Sequence, residues 1–168
     1  MRGASLSTVA GGKKSAGLVL YRFTGGRLEV LIAHMGGPLW SSKVARGKRG
    51  WSIPKGEYGS DEEPLDAARR EFREETGFEP PQSEPLELGE VVQGSGKRVT
   101  AWALEGDLDP GRASSNMIEI EWPRGSGERL TFPEVDRVEW VTPRVARERV
   151  INAQAELFDR LERLLGYS

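Results

Sequence analysis

Apolar and polar residues alternate over residues 15–22 (SAGLVLYR) and again over 28–34 (LEVLIAH), with Gly25-Gly26 between them, a pattern that predicts a β-hairpin. Further strand patterns fall at 86–93, 99–105, 117–122 and 137–141, and Trp51-Ser52-Ile53-Pro54 leads into a glycine. Two segments change to the helical period. In one, Leu65, Ala68, Phe72 and Thr76 share a stripe at about 100° per residue. The other spans 143–165, with a predicted break at 150–152, and Val150, Ala153, Leu157, Leu161 and Leu164 form its apolar side. Strands interspersed with helices in this way describe an α/β domain, a mixed sheet with helices against it.

The first helix has legible ends. Ser60 or Asp61 is placed to cap its N-terminus, Glu62 and Glu63 suit the positive end of the dipole, and Pro64 fits only a first turn. Gly77 is the expected left-handed stop, and Pro80-Pro81 prevents continuation. Beside the apolar stripe, Glu71, Glu74 and Glu75 cluster at i, i+3, i+4 spacing. Carboxylates this close repel one another, raise one another's pKa values and weaken the helix unless a cation sits among them. Oxygen donors favour a hard ion, Mg²⁺ with Mn²⁺ as a substitute. Zinc is disfavoured, because the chain has no cysteine and one histidine, His34.

Composition narrows the setting. With 168 residues, 37% hydrophobic and 30% charged, the chain suits one domain with a substantial core, expected over 13–168 after a flexible tail at 1–12. A net charge of −2 predicts no general attraction to nucleic acid or to anionic membranes. The opening MRGASLSTVAGG lacks the apolar core of a signal peptide, and no stretch approaches the roughly 20 apolar residues of a membrane span, so a cytoplasmic address is expected. Loops are expected at 80–85 and 105–116.

The spacing of Gly56, Glu62 and the run Arg70-Glu71-Phe72-Arg73-Glu74-Glu75-Thr76-Gly77-Phe78 resembles a complete Nudix box. The resemblance implies a Nudix α/β/α sandwich and a hydrolase of phosphoanhydrides. It makes Glu71, Glu74 and Glu75 metal ligands or, in one case, the general base, with the Gly56 carbonyl completing the set. Glu62 and Arg70 become a buried ion pair that ties the box loop to the helix. Outside the box, SAGLVLYR, HMGGPLW, WSIPKGE and FPEVDRVEW are similar to bacterial predicted NTP pyrophosphohydrolases, and PKG before the box is similar to asymmetric diadenosine tetraphosphate hydrolases. The latter resemblance implies a fourth carboxylate after the box, for which Glu134 is the choice and Glu119 and Glu121 the competitors. Between Leu88 and Ala101 the chain has neither the tyrosine of many diadenosine polyphosphate hydrolases nor the proline of ADP-ribose pyrophosphatases.

Substrate contacts are sought in the loops. Lys55, next to the box glycine, is a candidate phosphate contact, and His34, at a strand end, is a candidate for touching phosphate or serving as a base. Lys97, which with Arg98 follows the Gly94-Ser95-Gly96 turn, resembles the lysine-bearing strand of diadenosine polyphosphate hydrolases and is a substrate-contact candidate on that likeness. Tyr58 and Trp40, both expected in loops, are candidates for stacking on a base, whereas Trp102 and Trp122 read as core. Lys43, Arg46, Lys48 and Arg49 make 40–50 a basic loop that either lines a polyphosphate channel or is simply solvated. The expected partner is a small-molecule nucleotide and the expected reaction Mg²⁺-dependent hydrolysis, with dinucleoside polyphosphates slightly ahead of nucleoside triphosphates. The alternatives are a non-catalytic nucleotide-binding module and a pyrophosphohydrolase of RNA 5′ ends or diphosphoinositols. Oligomeric state is left open.

Overall fold

A computed structural model of the protein describes residues 13–167, so the tail expected at 1–12 lies outside the described residues. Among the described residues a seven-stranded mixed sheet forms the middle layer. Its centre is the pair β1 (Lys14–Thr24) and β6 (Arg98–Glu105), which run parallel; β2 (Arg27–Met35), β4 (Lys55–Glu57) and β5 (Leu86–Val92) join antiparallel, with β3 (Trp51–Ser52) and β9 (Val135–Val141) on β2. From Ser15 to Tyr21 every β1 side chain is buried, as expected of a strand covered on both faces.

The two faces carry separate cores. On one, α2 (Pro64–Thr76) lays Ala67, Ala68 and Phe72 against Leu18, Leu20 and Leu31. On the other, α3 (Pro143–Arg149) and α4 (Ala155–Leu165) cover Val30, Ile32 and Val99 with Ala146, Leu157, Phe158 and Leu161. The fold is the α/β/α sandwich with a mixed sheet.

Several elements depart from the sequence reading. Neither Ser60 nor Asp61 caps α2; Glu63 holds the N-cap position with extended backbone and no side-chain cap bond. The proline at the first helical position fixes the start one residue after Glu63. Gly77 does end the helix, at φ +78°. The break between α3 and α4 is a 3₁₀ turn, Asn152–Gln154, which resets the helical phase, so Phe158 turns inward and Leu164 is 55% exposed. Trp40 lies not in a loop but in α1 (Pro38–Ala45), which again starts at a proline and takes up part of the expected basic loop. Finally, β7 (Met117–Glu121) is not a strand of the main sheet. It pairs with β8 (Arg129–Pro133) in a separate two-stranded hairpin.

Candidate active site

A cavity of about 450 Å³ opens between β4, the α2 face, α1 and the β7–β8 hairpin. Its polar half is lined by Lys55, Gly56, Glu57, Glu71, Glu74, Glu75, Lys97 and Glu134; the other half by Ala33, Met35, Leu39, Trp40, Ile118, Ile120, Phe132 and Val135. The helical spacing delivers the three box glutamates to one side. Glu134, from the β8–β9 junction, meets them because Gly36 N–H donates to its carbonyl at 2.9 Å and its own N–H donates to Asn116 at 3.0 Å.

Burial sets the electrostatics. Glu71 and Glu75 are 7% and 6% exposed, low for carboxylates. Burial and the Glu134 charge push the Glu75 carboxyl well above its usual range, although Lys55 and a hydrogen bond from Lys55 N–H at 3.2 Å oppose this. Burial likewise raises Glu71, against the pull of Arg70. Burial and the nearby Lys97 charge depress the Lys55 ammonium, while Glu75, Glu134 and Glu71 favour it.

Arg70 holds more than the pair expected of it, and that pair with Glu62 is partly exposed rather than buried. It grips Glu62 with two bonds, Nε at 2.8 Å and Nη2 at 2.9 Å, and its Nη1 reaches Glu71 at 2.7 Å and Glu74 at 3.3 Å. That bidentate grip holds the Glu62 carboxyl below its ordinary value. Among the described residues no three acidic or histidine groups close into a ready metal cage. Arg70 supplies the counter-charge to Glu71 and Glu74.

The residues nevertheless fit a hard divalent ion. The donors are all oxygens, two of the carboxylates are buried against like charge, and a Cβ at Gly56 would land on the Glu71 carboxyl group. Only glycine allows that approach of main chain to carboxylate. Glu71, Glu74, Glu75, Glu134 and the Gly56 carbonyl are the groups that would hold such an ion.

Of the expected substrate contacts, Lys55, Lys97 and Trp40 line the cavity. Lys97 Nζ lies 3.3 Å from Glu57, itself 3.9 Å from Lys13. His34 and Tyr58 do not line it. The β2 alternation gives Ala33 and Met35 to the cavity and leaves His34 beside Trp51, with Nδ1 2.8 Å from Asp136 Oδ1. Tyr58 rests half-buried against the α2-side core. Neither competitor for the fourth carboxylate lines the cavity: Glu119 pairs with Arg129 at 3.1 Å, and Glu121 accepts from Gly125 and Gly127 N–H. The same alternation presents Ile118 and Ile120 inward.

Sequence reasoning missed the apolar half apart from Trp40, and the support beneath β3. Gln154, fully buried, accepts from Ile53 N–H at 2.9 Å and donates to Ser52 Oγ and to Gln93, each at 3.0 Å. It holds the strand leading to Lys55 and Gly56. A polar residue in the 3₁₀ break of an otherwise amphipathic segment was the available signal.

A sandwich of this topology with a box helix beside a glycine strand defines the Nudix class. The NUDIX domain model matches residues 13–161, and the chain belongs to that family. In fold it is similar to a Caenorhabditis elegans Ap4A hydrolase binary complex (TM-score 0.62, 22% identity, 92% of this chain and 98% of that one). It is also similar to the NUDIX domain of Shewanella oneidensis NrtR complexed with ADP ribose (TM-score 0.61, 15% identity, 98% and 99%). In sequence, 57 residues are 42% identical to an RNA pyrophosphohydrolase of Xanthomonas campestris, 34% of this chain and 27% of that relative's length. Among the described residues no helix is long and apolar enough to cross a membrane.

Proposed function

We propose that the protein is a Mg²⁺-dependent Nudix hydrolase that cleaves a phosphoanhydride bond in a nucleoside polyphosphate, dinucleoside polyphosphates slightly ahead of nucleoside triphosphates. The observation that carries this reading is the meeting of Glu71, Glu74, Glu75 and Glu134 with Lys55 and Lys97 around one cavity that also has an apolar side. Glu71, Glu74, Glu75, Glu134 and the Gly56 carbonyl would hold the divalent ion, Mn²⁺ being able to substitute. A bound ion supplies charge neutralisation at phosphate oxygens and makes water a stronger acid.

The remaining work falls to side chains of this chain. Lys55 and Lys97 bind phosphate oxygens as point charges and align the polyphosphate along the polar half. One of Glu71, Glu74 and Glu75 accepts the proton of the attacking water. Arg70, anchored on Glu62, orients the Glu71 and Glu74 carboxylates.

The test is a panel of dinucleoside polyphosphates, nucleoside triphosphates, 5′-triphosphorylated RNA and diphosphoinositols, with Mg²⁺ and with chelator, read by product mass. Mg²⁺-dependent turnover of nucleotides supports the reading. Turnover confined to RNA ends or diphosphoinositols would replace the substrate, and absence of turnover across the panel would leave a nucleotide-binding module.

A further inference from the structure

Most of the cavity's apolar half belongs to neither core: Ala33 and Val135 sit in the α2-side cluster, but the rest of that wall does not. Leu39, Trp40, Ile118, Ile120 and Phe132 are absent from both buried clusters, and α1 has no buried residue at all. Hydrophobic side chains turned onto a cavity wall without serving a core are characteristic of a ligand site. The β7–β8 hairpin makes the same point by its sidedness. Its outer face carries Glu119 on Arg129 and Glu121 on the turn beside the exposed Met117, while Ile118, Ile120 and Phe132 line the cavity.

Opposite the hairpin stands α1, and the two are joined at their bases. Gly37, at φ +91°, lies so close to the Phe132 ring that a Cβ there would land on it. Trp40 carries Lys43 Nζ 4.3 Å over its ring centroid, an arrangement that steadies the indole. An occupant must therefore satisfy two unlike halves at once, an anionic end near Lys55 and Lys97 and a flat apolar end between α1 and the hairpin.

We propose that this half of the cavity is a stacking subsite for the base of a nucleotide, and that it holds the ring without reading its edge, so purine and pyrimidine nucleotides are accepted alike. The inference rests on the nucleotide chemistry proposed for the polar half. Tolerance follows from the chemistry of the wall. Among Met35, Leu39, Trp40, Ile118, Ile120 and Phe132, the only hydrogen-bonding side-chain groups are one indole N–H and a weakly accepting thioether. The nearby Ser52 hydroxyl is committed, donating to Ile53 at 2.7 Å and accepting from Gln154. Apolar walls discriminate between rings by about 10–200-fold at most, whereas sites that hydrogen-bond a ligand edge reach 10⁴–10⁵.

The experiment is calorimetric titration of the full chain, in Mg²⁺, with AMP, GMP, CMP, UMP and ribose 5-phosphate, none of which contains an anhydride to be cleaved. The four nucleotides are expected to bind within about tenfold of one another, and each at least about tenfold tighter than ribose 5-phosphate. Trp40→Ala and Ile120→Ser, on separate elements outside both cores, should each weaken the nucleotides by at least about tenfold and leave ribose 5-phosphate unchanged. Equal binding of ribose 5-phosphate and the nucleotides overturns the proposal, as does a spread beyond about 200-fold among the bases, or nucleotide binding unchanged in both variants. Because no turnover is read, nucleotide binding of the expected kind in a protein that hydrolyses nothing would sink the catalytic reading and keep the subsite. Hydrolysis without this pattern does the reverse.

Discussion

Replacing Gly56 with alanine puts a methyl group where the Glu71 carboxyl group now lies. Neither partner's main chain can yield easily: Gly56 is paired with Ala16 across β4 and β1, and Glu71 sits mid-helix in α2, whose neighbours Ala68 and Phe72 are in the core. The carboxyl end of Glu71 must therefore rotate away, stretching its 2.7 Å bond from Arg70. Overpacking of this kind costs about 1–3 kcal/mol. For a domain of this size that lowers Tm by about 2–12 °C, which leaves a folded protein.

Activity should suffer much more than stability. Displacing a metal-holding carboxylate by about 1 Å costs on the order of 10² in rate, so kcat for a nucleotide substrate in Mg²⁺ is expected to fall at least about 100-fold. Thermal melts with and without Mg²⁺ give a second readout. An ion at about 100 times its Kd stabilises by about 2.7 kcal/mol, and that increment should shrink or vanish in Gly56→Ala. Gly17→Ala is the contrast, because its Cβ would meet the Pro54 carbonyl at 2.7 Å and Lys55 Cβ at 2.8 Å, so main chain itself must move. It should lose more stability than Gly56→Ala. A Gly56→Ala protein with undiminished kcat and an undiminished Mg²⁺ increment would refute the reasoning.

Three further outcomes are expected. Glu134→Gln should lower kcat by at least about tenfold while Glu119→Gln and Glu121→Gln do not; activity retained in the first and lost in either of the others would move the fourth carboxylate to β7. In chelator, the raised folded-state pKa of Glu75 means that the native chain holds that proton more tightly than the unfolded chain does. Its stabilising contribution is complete below the ordinary glutamate pKa and is lost as pH rises through the raised value, so metal-free melts should fall in Tm across that window and Glu75→Gln should flatten the fall; an unchanged slope would contradict it. Gln154→Leu leaves buried Ile53 N–H without its acceptor and takes a donor from Gln93 and Ser52. It should cost about 2–4 kcal/mol in denaturant unfolding, and a loss below about 0.5 kcal/mol would mean that the glutamine is not supporting β3.

What could be read in advance followed the strength of local periodicity. The α2 stripe, the Gly77 stop and the long strands β1, β2 and β6 repeat their pattern over enough residues to be recognised. Strands as short as β3 and β4, two and three residues, have no period to show, although β4 carries Lys55 and Gly56. Helix α1 was hidden because it buries nothing, so Trp40 looked like a loop residue. The box glutamates were legible as a set because one helix carries them all. The opposite wall, from Met35 to Phe132, draws on β2, α1 and a hairpin outside the main sheet, and only the folded chain brings those together. His34 shows the cost of reading strand ends one residue at a time: the bulge between His34 and Met35 against β9 leaves Asp136 beside the imidazole, and the cavity goes to Ala33 and Met35.

The central claim is that the Glu71–Glu75 cluster, loaded with Mg²⁺, directs water onto an anhydride phosphorus of a nucleotide. Its most direct test is hydrolysis of a dinucleoside polyphosphate in ¹⁸O-labelled water, with products weighed by mass spectrometry for the intact protein and for Glu75→Gln. One ¹⁸O in a single phosphate product, dependent on Mg²⁺ and reduced at least about 100-fold in Glu75→Gln, is the predicted result. Label incorporation that persists in chelator, or at undiminished rate in Glu75→Gln, would contradict the account.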